Sequence, residues 1–343
     1  MNNPALDILA IAAHRDDVEQ TCGGSLLKMA QRGQRTGILD LTQGEMGTRG
    51  SAQERAAEAA EAARILQVSW RQALDIPDGQ VENTWQNRLK VARVIREQRP
   101  RVVILPYWQG RHPDHYTASV LGYEACFLAG LAKLGKEAVS TQQSAFSPET
   151  EVGSRESGVG RLRTKGTELS ARRASRAQSQ FSKMPSGTSV ENHGFSSFQE
   201  SAQLHNPITS ELPPRTGVEA HGFSRGTPDA EEQAALAAVG ALPPHRPFKI
   251  LYATLYYDIR PTFVVDITDQ FEARLQSIYA YKSQFTDQAA GASDFPAHAE
   301  IRERVATMAG FYGLLAGVKY AEPFLQKEVG LVDDLLAIPV KSI

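Results

Sequence analysis

The stretch LDILAIAAHRDDVE, residues 6–19, joins an apolar run to a cluster of charged residues. The apolar part predicts a buried β-strand over residues 6–13. Aspartate and arginine are among the residues least often buried in proteins. Because the charged cluster stands where the predicted strand ends, its side chains need an ionic partner, a metal ion or a catalytic role.

The composition is typical of a globular protein with a sizeable core. The chain has 343 residues, 41% of them hydrophobic, with 37 lysines and arginines against 39 aspartates and glutamates. The net charge of −2 gives no electrostatic reason to expect nucleic acid or a membrane as partner. The N-terminal residues lack a basic region and no stretch is apolar enough to span a bilayer, so we expect a cytoplasmic protein. Cys22 and Cys126 lie in apolar stretches and are expected to be buried thiols.

A segment of different composition interrupts the chain. Residues 140–240 are rich in Ser, Gly, Arg, Glu and Pro and contain no Trp, Tyr or Cys. Such a segment buries too little apolar surface to offset the entropy of ordering it, so we predict a disordered or loosely ordered insertion. The remainder, residues 1–139 and 241–343, is predicted to form a single catalytic domain. A disordered loop, a lid and a partner-binding arm remain open as roles for the insertion.

Outside the insertion, strand patterns alternate with helix patterns. The predicted strands are residues 6–13, 36–42, 73–76, 101–107, 248–257 and 262–268. The predicted helices are residues 21–32, 51–67, 85–98, 116–134, 268–285 and 300–316. This alternation predicts an α/β fold, a Rossmann-like three-layer sandwich with a mostly parallel sheet. Ligands of such sheets bind beyond the carboxyl ends of the strands, which is where the charged cluster stands.

A second polar cluster, GRHPDHYTAS at residues 110–119, follows the predicted strand at residues 101–107. Neighbouring parallel strands would bring both clusters to the same edge of the sheet. His14 and Asp17 are three residues apart, which places them on one face of a helical turn. Together with His115 they offer two imidazoles and one carboxylate, and they leave a position open for water, as catalytic zinc requires.

The remaining polar residues of the two clusters suit catalytic roles. Asp16 stands next to a predicted ligand and suits a general base. His112, with Asp114 two residues on, suits a protonated imidazole that stabilises an oxyanion or protonates a leaving amine. Each cluster alone has a structural explanation, since an Asp pair often caps a helix and Pro113 is typical of a first helical turn. The occurrence of both clusters at strand ends favours the metal site.

The motifs AHRDDVE and HPDH resemble the paired signatures of the LmbE-like, or PIG-L-type, zinc N-deacetylase family, where the first is written A-H-P-D-D. The segments TQGEMGTRGS, PTFVVDIT and YKSQF look like the branch that deacetylates N-acetylglucosaminyl-malate in bacillithiol biosynthesis. The resemblance implies metal-dependent hydrolysis of the N-acetyl group of an N-acetylglucosaminyl (GlcNAc) conjugate, which releases acetate. Other members of the family act on other conjugates, such as mycothiol precursors or glycolipids.

The resemblance also implies roles for particular residues. It implies one Zn²⁺ per chain, with Fe²⁺ as an alternative, and a homo-oligomeric protein that takes a small-molecule substrate. The implied metal ligands are His14, Asp17 and His115; the implied catalytic residues are Asp16, His112 and Asp114, which orients His112.

Three arginines lie in or next to the motifs. The resemblance implies that Arg49 and Arg111 bind the substrate, and a guanidinium binds a carboxylate such as those of malate in a bidentate manner. Arg15 replaces the proline usual in the family, and a cation beside the site could alter the pKa of a bound water or the fit of the substrate.

Two functions of other classes remain as alternatives. Two histidines and one carboxylate also form the iron site of non-haem oxygenases. The glycine-rich segment at residues 42–51 could belong to a nucleotide-binding module without catalysis, although it lacks the G-x-G-x-x-G pattern between strand and helix. A bound metal would favour an enzyme over a nucleotide-binding module. Oxygen consumption would favour an oxygenase over a hydrolase.

Overall fold

The strands form one seven-stranded sheet. The computed structural model describes residues 5–136, 229–254, 259–285 and 298–340. Its strands are β1 (Ile8–Ala12), β2 (Thr36–Asp40), β3 (Trp70–Ala73), β4 (Val102–Pro106), β5 (Lys249–Ala253), β6 (Phe263–Asp266) and β7 (Ala321–Leu325). Its α-helices are α1 (Asp17–Thr21), α2 (Gly23–Gln31), α3 (Ala52–Ile65), α4 (Trp85–Gln98), α5 (Pro113–Ala129), α6 (Ala230–Gly240), α7 (Phe271–Tyr279) and α8 (His298–Ala316).

The strand order is β3-β2-β1-β4-β5-β7-β6. The first five strands are parallel, and β7 runs antiparallel to both of its neighbours. The predicted α/β fold with a mostly parallel sheet is therefore confirmed. The strand order reverses between β1 and β4, which is the place where ligands bind in sheets of this kind.

Side chains alternate between the two faces of β1, and each face carries its own apolar core. Leu9 and Ile11 pack with residues of α4 and α5. Ala10 and Ala12 pack with Val18 of α1 and Leu26 of α2. Helices thus cover both faces, which gives the three layers and explains why β1 is apolar on both sides.

Local signals position several helices as predicted. Ser51 and Glu54 form a capping box at the start of α3: the Glu54 N–H donates to Ser51 Oγ at 3.2 Å, and the Ser51 N–H donates to Glu54 Oε2 at 2.7 Å. Helix α4 spans the predicted residues 85–98, with Thr84 as its cap. Helix α5 begins at Pro113, three residues before the predicted start. The HPDH motif therefore lies on the first turn of this helix, with proline at its first position.

The predicted helix at residues 21–32 is divided in two. Helix α1 ends at Thr21, and α2 begins at Gly23. The buried carboxylate of Glu322 causes the new start, because it accepts the N–H groups of Gly24 at 2.8 Å and Ser25 at 2.7 Å. A carboxylate in this place satisfies the unpaired donors of a helix N-terminus and interacts favourably with the helix dipole.

Of the predicted insertion at residues 140–240, residues 140–228 lie outside the described residues. Its last part is helix α6, which Asp229 caps by accepting the N–H of Glu232 at 2.8 Å. This helix packs against α4, where the Arg96 guanidinium donates to the carbonyl of Val239 at 2.6 Å. Residues 229–240 of the predicted insertion are therefore described as structure that packs on the catalytic domain, and the extent of the insertion otherwise stays a prediction.

Two further differences concern the last third of the chain. Strand β7 was not predicted, because Glu322 and Pro323 both argue against a buried strand. The predicted helix at residues 268–285 is a 3₁₀ turn, Thr268–Gln270, followed by α7.

Both cysteines are buried free thiols, as predicted. Among the described residues, we find no helix with the length and apolar character that a membrane span requires.

Candidate metal centre

The two polar clusters meet beyond the carboxyl ends of β1 and β4. These strands pair directly, with Ala10 opposite Ile104. His14 lies in the turn after β1, and Asp17 is the first residue of α1. His115 lies in the first turn of α5, which follows β4. The fold therefore brings the three predicted ligands to one place from two distant stretches of the chain.

The donor atoms of these three residues lie close enough to share one ion. His14 Nδ1 is 3.2 Å from His115 Nε2 and 3.6 Å from Asp17 Oδ2. His115 Nε2 is 3.2 Å from Asp17 Oδ1. Ligands of a tetrahedral zinc ion stand about 3.3 Å apart, given zinc–nitrogen and zinc–oxygen bonds of about 2.0–2.1 Å. The two imidazoles and the carboxylate thus fit a zinc ion in both spacing and chemistry.

A second set of donors, His14, His112 and Asp114, also has its ligand atoms within 4.8 Å of one another. This set is less free to bind a metal. The Asp114 carboxylate already accepts the backbone N–H groups of Gly79 at 2.8 Å and Val81 at 3.3 Å. His112 is exposed to solvent, whereas Asp17 is buried and His115 is largely so. The first set is therefore the better candidate.

Carboxylates also hold the other side of the His14 ring. His14 Nε2 lies 3.1 Å from Asp78 Oδ1 and 3.2 Å from Asp114 Oδ2. A proton on Nε2 leaves Nδ1 free to face the other two donors. Metal-binding histidines commonly donate their second N–H to a carboxylate, which fixes the ring and raises its basicity as a ligand.

The cluster is electronegative and favours a cation. Burial alone lowers the pKa of His14, but hydrogen bonds to Asp17 and Asp78 outweigh burial and raise it to about 11. Burial raises the pKa of Asp17, but His115 and His14 outweigh burial and hold that pKa well below its usual range. Without a metal ion, a proton on His14 offsets part of the negative charge of the neighbouring carboxylates.

Asp16 lies beside the three donors with its carboxylate held from two sides. Arg55 Nη2 donates to Oδ1, and Gln20 Nε2 donates to Oδ2, each at 3.2 Å. Burial and the neighbouring Asp17 raise the pKa of Asp16, and the Arg55 guanidinium opposes this shift. The carboxylate is thus fixed in orientation and more basic than one in water.

The structure corrects the predicted relation between His112 and Asp114. His112 Nδ1 accepts the backbone N–H of Asp114 at 3.2 Å, while the Asp114 carboxylate turns to His14, Gly79 and Val81. Partial burial of the ring lowers the pKa of His112, and the nearby His14 and His115 lower it further. The expected contact of the ring with the Asp114 carboxylate is therefore replaced by a hydrogen bond from the Asp114 backbone, and a ring whose Nδ1 accepts has Nε2 to carry its proton.

The three arginines lie in different surroundings. The Arg49 carbonyl accepts Gln284 Nε2 at 2.8 Å, which ties the loop of residues 42–51 to the YKSQF segment. Arg111 is exposed and directly precedes His112. Substrate binding by these two residues stays a prediction. Arg15 is buried, and its guanidinium donates to the Ala52 carbonyl at 2.6 Å, which directs it toward the start of α3.

Sequence reasoning missed several residues around the site. Asp78 follows β3 in the segment PDG, and its place after a strand was a signal comparable to that of HPDH. Arg55 gave no signal, because an arginine in a charged helix usually faces solvent. Arg71 and Tyr281 both donate to the Arg15 carbonyl, which lies between His14 and Asp16. They also contact buried acids: Arg71 pairs with Asp40 at 2.9 Å, and both side chains contact Glu19.

Comparison with known proteins supports a relation to deacetylases. A family model described as "PIG-L: GlcNAc-PI de-N-acetylase" matches residues 9–126. The chain is 34% identical over 145 residues to the diacetylchitobiose deacetylase of Thermococcus kodakarensis, covering 39% of this chain and 54% of that protein. It is 32% identical over 140 residues to the uncharacterized deacetylase YaiS of Escherichia coli, covering 36% of this chain and 75% of that protein. The match to the Thermococcus enzyme thus spans about half of its length.

Solved structures share the fold over most of the chain. The conserved protein TT1542 from Thermus thermophilus is 27% identical with a TM-score of 0.58, covering 96% of this chain and 98% of that one. The N,N'-diacetylchitobiose deacetylase of Pyrococcus horikoshii is 20% identical with a TM-score of 0.56, over 92% and 82% of the two chains. A 4-carboxy-2-hydroxymuconate hydratase, GalB of Pseudomonas putida, is 16% identical with a TM-score of 0.51, over 97% and 100%. Because this last neighbour is a hydratase, the fold alone does not select a reaction.

Proposed function

The chain belongs to the PIG-L, or LmbE-like, deacetylase family, and from this premise we propose that it removes the N-acetyl group of a GlcNAc conjugate by metal-dependent hydrolysis. The observation that carries the proposal is the convergence of His14, Asp17 and His115, with the Asp16 carboxylate close enough to interact electrostatically with Asp17 and His14. This arrangement combines a candidate metal site with a base that is not needed as a ligand.

The proposed metal ligands are His14 Nδ1, the Asp17 carboxylate and His115 Nε2. When bound, a zinc ion supplies polarisation of the amide carbonyl and activation of water at neutral pH. Asp78 and Asp114 hold the far side of the His14 ring and so keep Nδ1 directed toward the other donors.

Asp16 is the proposed general base. Its Oδ1 pairs with the cationic Arg55 guanidinium and its Oδ2 accepts only the neutral Gln20 amide, so Oδ2 is the atom assigned to accept the proton of the attacking water. The same proton can then pass to the leaving nitrogen when the amide bond breaks, so that acetate and a free amine are released. Arg55 and Gln20 restrict rotation of the carboxylate and keep it beside the metal ligands.

His112 is the proposed donor to the oxygen that becomes negative in the transition state. Its neutral ring carries the proton on Nε2, because Nδ1 accepts the backbone N–H of Asp114. A neutral donor that is already oriented stabilises a developing oxyanion, and no charged group has to be removed from water for it to do so. The edge-on packing against His14, with ring centroids 4.8 Å apart, keeps this donor at the site.

The finer assignment concerns the group attached to the sugar. We propose GlcNAc-malate as the substrate, with Arg49 and Arg111 binding the malate carboxylates, on the strength of the motifs GTRGS and YKSQF. N,N'-diacetylchitobiose is the second candidate, since the Thermococcus relative is a diacetylchitobiose deacetylase. A direct test measures acetate release from both compounds by the zinc-loaded protein. Faster turnover of GlcNAc-malate that falls in Arg49→Ala, with chitobiose turnover unchanged, supports the malate assignment.

The variant Asp16→Asn tests the catalytic part of the proposal. We expect kcat to fall by about 10²–10⁴-fold while the zinc content stays at one ion per chain, because the amide cannot accept the proton. Asp75→Asn is the matched control, since Asp75 is exposed and pairs only with Lys90 at 2.7 Å in the described structure. Near-normal turnover by Asp16→Asn with zinc bound would contradict the assignment.

The oxygenase alternative is tested with the same protein. Two histidines and one carboxylate also suit iron, and a deacetylase that holds iron still releases acetate. Oxygen consumption by the iron-loaded protein, with no acetate released from any GlcNAc conjugate, would favour the oxygenase.

A further inference from the structure

An exposed apolar segment follows β7. All residues from 327 to 340 are exposed, and residues 329–340 are called the arm below. Four aliphatic side chains of the arm are more than four-fifths exposed: Val329 (97%), Leu331 (92%), Leu335 (81%) and Leu336 (94%). Large contiguous apolar surfaces of this kind mark sites of protein–protein interaction.

The base of the arm is fixed to the domain. The Lys327 ammonium lies 4.8 Å from the ring centroids of Trp108 and Tyr252 and 5.0 Å from that of Tyr123. Three aromatic faces around one cation form a favourable cation–π site. The arm therefore leaves the domain from a defined point.

A groove of about 840 Å³ lies next to the base of the arm. It forms because β5 and β7 pair only at Tyr252–Leu325 and Ala253–Phe324, so the sheet opens beside the first residues of β5. Its lining is mainly apolar and includes Met29, Phe127, Phe248, Ile250, Leu251 and Phe263. Phe248 is 83% exposed and Phe127 is 54% exposed, so the groove is an apolar surface without a cover among the described residues.

The groove and the arm carry opposite charges. Arg246, Lys249 and Glu328 line the groove, which leaves it net positive, and Asp333 and Asp334 lie in the middle of the arm. Within the described part of the chain, neither the two cations nor the two aspartates form an ion pair. Among the described residues, the chain thus presents an apolar surface with two cations that have no ionic partner and an apolar segment with two carboxylates that have none.

We propose that the arm of one chain docks in the groove of a second copy of the same chain. Gln326 and residues 328–331 form a rim of the groove in their own chain. A two-fold axis near this rim would let each chain place its arm in the groove of the other, which is the self-complementary contact that closed dimers use. The aliphatic residues of the arm then cover the groove, and Asp333 and Asp334 approach Arg246 and Lys249.

Sedimentation velocity of the full chain over a range of concentrations tests this proposal. We expect the wild type to be a dimer or an assembly of dimers. The arm variant Leu335→Asp/Leu336→Asp and the groove variant Phe248→Asp should each raise the dissociation constant by about 30-fold or more. Leu314→Asp, at a residue 78% exposed on α8, is the control and should leave the mass unchanged. Unchanged circular dichroism and Tm show that the variants fold.

Charge reversal identifies the contact itself. Asp333→Lys/Asp334→Lys and Arg246→Glu/Lys249→Glu should each weaken the dimer, and the two combined in one chain should restore it. A wild type that is monomeric at every concentration overturns the proposal. An assembly that is weakened by the arm variant alone, or by the groove variant alone, also overturns the proposal, because the proposed contact needs both surfaces.

Discussion

At the scale of single residues, the site depends on how His14 is held. Its Nδ1 faces His115 and Asp17, while its Nε2 faces Asp78 and Asp114. A ring held on both edges is oriented before any ion arrives, and preorientation of ligands strengthens metal binding. Asp78 therefore matters to the site although it is not a proposed ligand.

The variant Asp78→Asn tests this role. We expect zinc to bind about 10–100-fold more weakly, because the neutral amide no longer stabilises the N–H of the His14 ring. Competition with a chelator of known affinity measures the effect. Asp269→Asn, at an exposed residue after β6, is the control. Equal zinc affinity in both variants would show that the Asp78 carboxylate does not support the ligand.

Tyr281 acts on the backbone between the ligand and the base. Its hydroxyl donates to the Arg15 carbonyl and lies 3.1 Å from Glu19 Oε1. In Tyr281→Phe we expect a loss of about 1–2 kcal/mol in the free energy of unfolding, together with a fall in kcat at full zinc content. Tyr279→Phe removes a comparable hydrogen bond, to the His298 carbonyl at 2.9 Å, and should leave kcat unchanged. Equal kcat values in the two variants would assign Tyr281 to stability alone.

The sequence indicated some of these residues and not others. His14, Asp17 and His115 could be found because metal ligands of the right type follow two strands that parallel pairing makes neighbours. The roles of Arg55 and Tyr281 depend on contacts between residues far apart in the chain, and no local pattern reports them. The relation of His112 to Asp114 was misjudged because a two-residue spacing allows either the side chain or the backbone of Asp114 to contact the ring.

At the scale of elements, β7 supports the helix that follows the metal-binding turn. Its Glu322 is fully buried, accepts the N–H groups at the start of α2, and pairs with Arg274 of α7 at 3.1 Å. One side chain thus joins β7 of the sheet to α2 and α7.

In Glu322→Gln we expect the free energy of unfolding to fall by about 3 kcal/mol, because the buried Arg274 guanidinium loses its ionic partner and keeps only two carbonyl acceptors, and because one helix N–H loses its acceptor. Urea denaturation measures the change. Glu300→Gln breaks only an exposed pair with Arg304 on α8 and should change stability by no more than about 0.5 kcal/mol. A similar small change in both variants would contradict the structural role of Glu322.

Most elements were predictable because their periodicity and caps agree with the fold. Helix α6 was not predicted, because the composition of the preceding residues favoured an insertion that reached residue 240. Asp229 followed by Glu231 and Glu232 is nevertheless a helix start signal. Strand β7 could not be predicted from its five residues. Its proline and glutamate are acceptable only because of partners elsewhere in the chain, such as Arg274.

At the scale of the whole molecule, the strand order decides where chemistry can occur. The order of the strands in the sheet reverses between β1 and β4, so the segments that follow these two parallel strands flank a single crevice. The alternation of strands and helices was enough to predict this arrangement. The groove beside β5 was not predictable, because it follows from the short pairing between β5 and β7.

Anomalous diffraction above the zinc absorption edge, from crystals of the zinc-loaded protein, tests the central claim most directly. The account predicts one strong peak within about 2.0–2.2 Å of His14 Nδ1, His115 Nε2 and an Asp17 carboxylate oxygen. A peak between His112 and Asp114 that Asp17 does not contact, or no peak beyond β1 and β4, would contradict it.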